Sequence, residues 1–213
     1  MSGTARSDVF PEKMTEGVYR LGYNAKTSYG AHSFLIRRPE GNAMVDAPRW
    51  TNEVVEPLEK LGGLSDILLT HKDDVADAAR YAKHFGARVS IHAADHSAAP
   101  YADHILDGRD PIKIYDDLLA IPVPGHTEGS VVYLWRDRCL FTGDSLSWSF
   151  VDNDLNAFRD FCWHSWEEQT KSLARLLDYD FEWVLAGHGG SHRLPAPEMH
   201  ARLAALVGRM AKN

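Results

Sequence analysis

The chain has 213 residues, 44% of them hydrophobic and 25% charged, and its formal net charge is −7 at pH 7. No apolar run approaches the roughly 18 residues that cross a bilayer, and no basic cluster exceeds the pair Arg37 and Arg38, so we expect neither a membrane partner nor a nucleic-acid partner. Two cysteines are too few for a disulfide framework, and the first residues lack the apolar core of a secretory signal, so we expect a cytoplasmic protein.

The order of the apolar runs predicts two successive halves, each with strands followed by helices. No repeat, low-complexity tract or linker divides the sequence, so residues 1–213 are interpreted as a single domain. The runs that predict strands cover residues 17–22, 32–38, 42–48, 66–71, 88–92, 118–125, 130–136, 138–144 and 183–189. The predicted helices run from Thr51 to Leu61, from near Asp73, from about Trp166 and from about Pro197. This order indicates an α/β fold in which two mixed sheets pack together with helices outside.

Five of the apolar runs end at a residue that can bind a metal ion. These residues are Asp46, His71, His126, Asp144 and His188. Glycine directly precedes three of them, and glycine allows the sharp turns and close approaches that aim a side chain into a cleft. Imidazole and carboxylate groups are ligands that suit Zn²⁺, Fe²⁺ or Mn²⁺. One such residue after a strand is common in proteins, but five in one chain predict a metal site.

At these residues the chain resembles the metallo-β-lactamase superfamily, whose fold is a four-layer αβ/βα sandwich with metal at the sheet edges. The resemblance lies in VDAP at Asp46, PGHTEGS at His126, FTGDSL at Asp144 and AGHGG at His188, and in His71 as the first residue of a His-x-His-x-Asp-His motif. It implies one or two divalent metal ions, with zinc favoured and iron or manganese as alternatives. It also implies that His71 and His126 bind one ion, that His188 binds the other, and that Asp144 bridges both.

The second motif departs from the family pattern in HKDDVADA, residues 71–78. When the motif is aligned without gaps, Asp73 stands at the position of the second histidine. Val75 and Ala76 then stand where the family has an aspartate and a histidine, and neither side chain can bind metal.

A shift of two residues gives a second alignment that fits HKDDVAD better. Asp77 then takes the aspartate position, Asp73 or Asp74 replaces the second histidine, and Ala78 stands where a histidine is expected. All three aspartates are therefore predicted as metal ligands. A helix that begins near Asp73 would place Asp73 and Asp77 on one face of its first turn, where the helix dipole stabilises carboxylates even without metal.

The resemblance implies hydrolysis of a small-molecule ester, lactone, thioester or amide by a metal-bound hydroxide. Asp77 or Asp74 would orient or deprotonate the water molecule. The aromatic stretch at residues 145–165 has two interpretations: it forms the wall of a substrate pocket, or it is a loop that covers the core.

The alternative function is a non-catalytic or weakly metal-binding module on the same fold. Its main support is Ala78 in place of a histidine ligand, because the loss of one ligand weakens a dinuclear centre more than a mononuclear one. His92, His96 and His192 are candidates for a replacement ligand, although each also fits a surface or supporting position. The sequence does not determine the oligomeric state.

Overall fold

A computed structural model of the protein describes residues 10–23 and 30–212. The strands in these ranges are β1 (Glu12–Thr15), β2 (Val18–Tyr23), β3 (His32–Ile36), β4 (Ala43–Val45), β5 (Asp66–Leu68), β6 (Arg88–His92), β7 (His104–Leu106), β8 (Ile112–Tyr115), β9 (Leu118–Pro122), β10 (Val131–Trp135), β11 (Cys139–Gly143), β12 (Ser147–Ser149), β13 (Asp154–Asn156), β14 (Trp183–Ala186) and β15 (His192–Arg193). The α-helices are α1 (Asn52–Lys60), α2 (Ala78–Phe85), α3 (Trp166–Arg175) and α4 (Ala196–Met210). None of these helices is long and apolar enough to cross a membrane.

The first sheet has the strand order β1-β2-β3-β4-β5-β6-β7, antiparallel from β1 to β4 and parallel from β4 to β7. Neighbouring residues of a strand point to opposite faces of the sheet. Ile67 therefore packs against α1 and α2, through residues such as Leu58 and Tyr81, whereas Leu68 faces the second sheet. Burial on both faces explains why β5 is a continuous apolar run without alternating polar residues.

The second sheet has the strand order β15-β14-β11-β10-β9-β8, in which β11 and β14 are parallel and the other neighbours antiparallel. Its outer face packs against α3 and α4, with Leu173 and Leu203 buried against Val132 and Val184. The predicted helix from about Trp166 is confirmed as α3.

The two sheets pack face to face through a third apolar cluster. Phe34 and Leu68 of the first sheet are buried there with Tyr133, Phe141 and Leu185 of the second sheet. The Phe34 and Phe141 rings are tilted, and their centroids lie 5.6 Å apart. The helices cover the outer faces of both sheets, so the predicted four-layer αβ/βα sandwich is confirmed.

The start predicted for the second helix, near Asp73, is wrong. Lys72–Asp74 form a 3₁₀ helix, and α2 begins only at Ala78. Ala76 has a φ of 32°, in the left-handed region, which interrupts a right-handed helical path at this point. Asp73 and Asp77 therefore do not share the first turn of one helix.

Six short strands were not predicted from the sequence: β1, β7, β8, β12, β13 and β15. Four of them lie at the edges of the two large sheets. Each has only two to four residues, too few for an alternating pattern to be distinguished from a turn. The pair β12 and β13 lies inside the aromatic stretch and brings it back towards the second sheet through a bridge between Trp148 and Gly190.

Candidate metal centre

His71 lies just beyond β5 and is held in place by the side chains beneath it. Asp46, which follows β4, accepts hydrogen bonds from the Thr70 backbone N–H and from the Thr70 hydroxyl, both at 2.8 Å. Thr70 Oγ1 also lies 3.0 Å from His71 Nδ1. Because the hydroxyl hydrogen goes to Asp46, Nδ1–H is the donor in this second contact. The imidazole therefore presents an unprotonated Nε2, the form that binds metal.

The other predicted histidines and the bridging aspartate follow strands of the second sheet, namely β9, β11 and β14. These residues are His126, Asp144 and His188. Gly143, just before Asp144, has a φ of 48°, and a Cβ there would lie 2.4 Å from Thr70 Oγ1. A Cβ on Gly125, just before His126, would lie 2.4 Å from the Cα of Gln169 in α3. Both positions need glycine because the backbone passes too close to a neighbour for any side chain.

Backbone hydrogen bonds join the ends of the two sheets at this site. Val131 N–H donates to the Thr70 carbonyl at 2.8 Å, which ties β10 to the residue before His71. His32 N–H donates to the Gly187 carbonyl at 2.8 Å, which ties β3 to the residue before His188. The histidines from different sheets are therefore brought together by the main chain.

The first donor set consists of His71, His126 and Asp144. Their ligand atoms lie within 4.8 Å of one another, and Asp144 Oδ2 is 3.7 Å from His71 Nε2 and 3.8 Å from His126 Nε2. Both imidazoles are almost fully buried, with exposed fractions of 1% and 4%. Within the described ranges neither Nε2 atom nor Asp144 Oδ1 has a hydrogen-bond partner. Buried polar atoms are normally paired, so this convergence fits a bound cation.

The second donor set consists of Asp74, Asp144 and His188. These ligand atoms also lie within 4.8 Å of one another. His188 Nε2 is 3.8 Å from Asp144 Oδ2, and its side chain is 28% exposed. Asp144 therefore lies between the two donor sets, which is the bridging position that the resemblance implies.

The remaining predicted carboxylates have different surroundings. Asp73 Oδ2 lies 3.5 Å from His126 Nε2 and 4.0 Å from His71 Nε2, at the open side of the first donor set. Asp77 belongs to neither donor set among the described residues. One of its oxygens accepts a hydrogen bond from the Trp50 backbone N–H at 2.7 Å, on the side of the loop before α1.

Ala78 is fully buried on the inner face of α2, in the apolar cluster that holds Leu69 and Tyr81. The neighbouring residues fit this arrangement, because Ala79 and Arg80 are exposed. The position that the shifted alignment assigns to a histidine ligand is thus part of the helix-to-sheet packing.

Asp95 is a further residue of this region, and sequence analysis did not single it out. It is buried and accepts hydrogen bonds from Lys72 N–H at 3.0 Å, Thr127 Oγ1 at 2.5 Å and Gly129 N–H at 3.3 Å. Lys72 follows His71 and Thr127 follows His126, so one carboxylate fixes the loops of both histidines. The only sequence signal was an aspartate between two histidines in IHAADH, which does not reveal contacts with residues that are distant in the chain.

The three candidate replacement histidines lie outside both donor sets within the described ranges. His92 Nε2 contacts the Gly108 carbonyl at 2.9 Å, and its Nδ1 accepts a hydrogen bond from Ala94 N–H. His192 stacks on Trp148 with a centroid distance of 4.1 Å. His96 follows Asp95 in the 3₁₀ helix Ala93–Ala98.

Burial governs the electrostatics of the site. Burial lowers the pKa of the His71 imidazole, which favours the neutral, metal-binding form near neutral pH. Burial also raises the pKa of Asp46 to about 7, although both hydrogen bonds from Thr70 act in the opposite direction. Interaction with the His126 imidazole lowers the pKa of Asp73, which keeps that carboxyl ionised at the open side of the site.

The aromatic stretch at residues 145–165 has two kinds of side chain, so each interpretation of it fits some of its residues. Leu146, Trp148 and Leu155 are buried in the core beneath α3 and α4. Phe158, Phe161 and Trp163 are exposed and line the side of the site next to His126 and His188; we call these three residues the aromatic rim.

Comparison with known proteins agrees with this geometry. A family model described as metallo-β-lactamase superfamily matches residues 19–203 of the chain. The chain belongs to the metallo-β-lactamase superfamily. The prediction from the glycine-flanked ligand motifs is thereby confirmed at the level of the family.

Relatives and solved structures of this superfamily show how far the similarity extends. Hydroxyacylglutathione hydrolase of Acidiphilium cryptum is 35% identical over 119 residues, which is 54% of this chain and 49% of the relative. The chain spans about half the length of the curated relatives it matches. FIM-1 from Pseudomonas aeruginosa in a mono-zinc form has a TM-score of 0.69, 16% identity and coverage of 94% of this chain and 95% of its own. TTHA1623 in a di-iron-bound form has a TM-score of 0.64, 20% identity and coverage of 82% and 93%.

Proposed function

We propose that the protein is a metal-dependent hydrolase of a small-molecule ester, lactone, thioester or amide. The observation that carries the proposal is the pair of donor sets that share Asp144, with the Nε2 atoms of His71 and His126 at 3.7 and 3.8 Å from Asp144 Oδ2. Ligands of this kind suit zinc best and also suit iron and manganese. A metal ion bound there would activate a water molecule and polarise the scissile carbonyl group.

The residues of the chain have separate tasks in this proposal. His71, His126 and Asp144 hold the first ion, and the half-exposed Asp73 adds a carboxylate from the open side. Asp74 and His188 with Asp144 hold the second ion, and Asp74 keeps the predicted role of orienting or deprotonating the water. Asp77 is left out of the ligand set and of the catalytic set, because its Oδ2 accepts a hydrogen bond from Trp50 N–H.

A thioester is the first substrate class to test. The relative that is 35% identical over 54% of the chain is named hydroxyacylglutathione hydrolase, a name that describes cleavage of a glutathione thioester by that protein. Esters and lactones present a carbonyl carbon of similar reactivity, and a site built to polarise a carbonyl group acts on all three.

The alternative of a non-catalytic module has lost its main support. That hypothesis depended on the loss of a histidine ligand at position 78. Ala78 packs in the apolar core, and Asp74 provides a carboxylate beside His188 and Asp144. In this proposal Asp74, Asp144 and His188 would hold a second ion without a histidine at position 78.

The deciding experiment combines metal analysis with hydrolysis. The protein is stripped with a chelator, loaded with zinc, iron or manganese, and analysed for metal per chain. Each form is then assayed with a thioester, an ester, a lactone and an amide of the same acyl group. Asp144→Ala serves as the inactive variant, and Asp116→Ala, in a fully exposed carboxylate of the β8–β9 turn, serves as the matched control.

We expect at least one metal form to hydrolyse a thioester, ester or lactone, with activity lost in Asp144→Ala and kept in Asp116→Ala. Binding of metal without hydrolysis of any of the four substrates would contradict the proposal and leave a metal-binding module. Failure to bind any of the three metals would contradict both functions.

A further inference from the structure

The aromatic rim exposes an unusual amount of apolar surface beside the donor sets. Phe161 is 53% exposed and Trp163 is 61% exposed, although large aromatic side chains are mostly buried in folded proteins. A contiguous exposed apolar surface often marks a site of interaction. The rim is therefore a candidate binding surface.

The rim extends from one metal-ligand histidine to the other. The Trp163 ring lies 6.4 Å from the His126 ring, the Phe161 ring lies 6.0 Å from the Trp163 ring, and the Phe158 ring lies 6.2 Å from the Phe161 ring. At the far end, a ring carbon of Phe158 is 3.5 Å from the place where a Cβ on Gly189 would stand. Gly189 directly follows His188, so the rim runs beside the loops that carry both histidines.

The main chain of the rim is fixed to the loop that carries His126. Trp163 N–H donates to the His126 carbonyl at 2.9 Å, and Ser165 N–H donates to the Gly125 carbonyl at 3.0 Å. The residues between Phe158 and Trp163 include the 3₁₀ helix Arg159–Phe161. A rim that is already ordered costs little further entropy on binding a ligand.

The rings are arranged to receive an apolar group. Phe158 and Phe161 meet at 83°, and Phe161 and Trp163 meet at 87°, so consecutive rings present alternating faces and edges. Aromatic surfaces of this kind bind alkyl and aryl groups by burial and by edge-to-face contact. The Arg159 guanidinium, which belongs to the same segment, lies over the Trp166 ring of α3, 5.7 Å from its centroid.

We infer that the aromatic rim binds an apolar acyl group of the substrate, an aryl or a long alkyl chain, next to the scissile carbonyl. This inference rests on the proposed hydrolase function. The rim begins at a ring in contact distance of His126, so an acyl chain whose carbonyl lies between the donor sets extends directly over Trp163 and Phe161. The rim residues determine specificity and take no part in the chemical step.

The test compares thioesters that differ in their acyl group and release the same thiol. The zinc-loaded protein is assayed with acetyl, hexanoyl and phenylacetyl thioesters of one thiol, and the variants are Trp163→Ala and Phe161→Ala. The matched controls are Tyr101→Ala and Ile105→Ala, which remove exposed apolar side chains from the first half of the molecule. Circular dichroism and metal content are measured for every variant, so loss of folding or of metal is recognised.

We expect kcat/KM to rise about tenfold or more from acetyl to phenylacetyl, because apolar contacts in a pocket discriminate substrates to that extent. In Trp163→Ala and Phe161→Ala this ratio should fall several-fold, because kcat/KM for the phenylacetyl thioester drops more than kcat/KM for the acetyl thioester. The two controls should keep the full ratio. Equal kcat/KM for all three acyl groups, or a ratio that the rim variants leave unchanged, would overturn the inference.

A binding measurement separates failure of the rim from failure of the enzyme. Calorimetric titration of the zinc-loaded protein with phenylacetate and with acetate does not require turnover. If phenylacetate binds more tightly than acetate and Trp163→Ala abolishes this difference, the result supports the inference that the rim binds an apolar acyl group. If no thioester is cleaved in the same protein, only the proposed function fails. The rim variants could instead convert a dimer into a monomer in sedimentation without changing the kcat/KM ratio or the preference for phenylacetate over acetate. In that case the rim is a contact between copies of the chain and the inference is wrong.

Discussion

The two donor sets of the site share Asp144 but differ in burial and composition. The first set has two imidazoles, with exposed fractions of 1% and 4%, whose Nε2 atoms have no hydrogen-bond partner in the described structure. The second set has two carboxylates and the partly exposed His188. A buried set that is already arranged releases little water and loses little entropy when an ion enters. From this difference we predict that the first set binds its ion more tightly and that the second set is the one open to exchange and to substrate.

The largest effect is expected from the residue that both sets share. Asp144→Ala removes a ligand from each ion, so we expect metal content to fall towards zero. The loss in affinity should exceed the roughly 10–100-fold that is typical when only a supporting partner of a ligand is removed. Elemental analysis after gel filtration measures this loss. Retention of one ion per chain in Asp144→Ala would show that the two sets do not depend on a shared carboxylate.

A second pair of variants distinguishes the sets directly. His126→Ala should lower the affinity of the tight ion, whereas His188→Ala should remove the exchangeable ion and leave one ion per chain. Titration of the metal-free protein with zinc, in competition with a chromophoric chelator, measures both affinities. His84→Ala, at an exposed histidine whose Nε2 lies 2.8 Å from Glu59 Oε1, is the matched control. An equal effect of the two variants on both ions would contradict the distinction between a tight and an open set.

Asp95 should affect the first set without binding metal. Asp95→Asn weakens the acceptor for Lys72 N–H and Thr127 Oγ1, so the loops of His71 and His126 lose a common anchor. We expect metal affinity to fall about 10–100-fold, as for other residues that position ligands. The control is Asp103→Asn, since Asp103 also accepts a backbone hydrogen bond, from Val89 N–H at 2.9 Å, but touches neither histidine loop.

The smallest effect on metal binding is expected at the position where the sequence suggested a missing ligand. Ala78→His places an imidazole in a packed apolar cluster, so we expect a loss of about 1–3 kcal/mol in the free energy of unfolding and no gain in metal. Urea denaturation measures the stability, and Ala79→His on the exposed face of the same helix is the control. An additional ion in Ala78→His would restore the interpretation that position 78 belongs to the site.

The comparison also explains which parts of the site were predictable. His126, Asp144 and His188 were predicted because a glycine directly precedes each of them, and this pattern is visible in the local sequence. The sequence left the choice between Asp74 and Asp77 open, because it depends on the course of the backbone after His71. The left-handed Ala76 and the late start of α2 direct these two carboxylates to different places.

Long-range contacts limited the rest of the prediction. The long apolar runs predicted the inner strands of both sheets and the four-layer fold, because burial on both faces leaves a strong signal. The edge strands carry no such signal. Asp95 acts through hydrogen bonds to residues more than twenty positions away in either direction, and no local pattern encodes them.

The backbone hydrogen bonds from Val131 to Thr70 and from His32 to Gly187 make metal binding a property of the assembled molecule. Neither half of the chain contains a complete donor set, since His71 and Asp74 come from the first sheet and their partners from the second. An ion that binds only the assembled form shifts the folding equilibrium by mass action, by about 2.7 kcal/mol at a free concentration 100 times the dissociation constant. A bound metal would therefore join the two halves, and we expect a chelator to lower the stability of the whole sandwich as well as to stop the proposed hydrolysis.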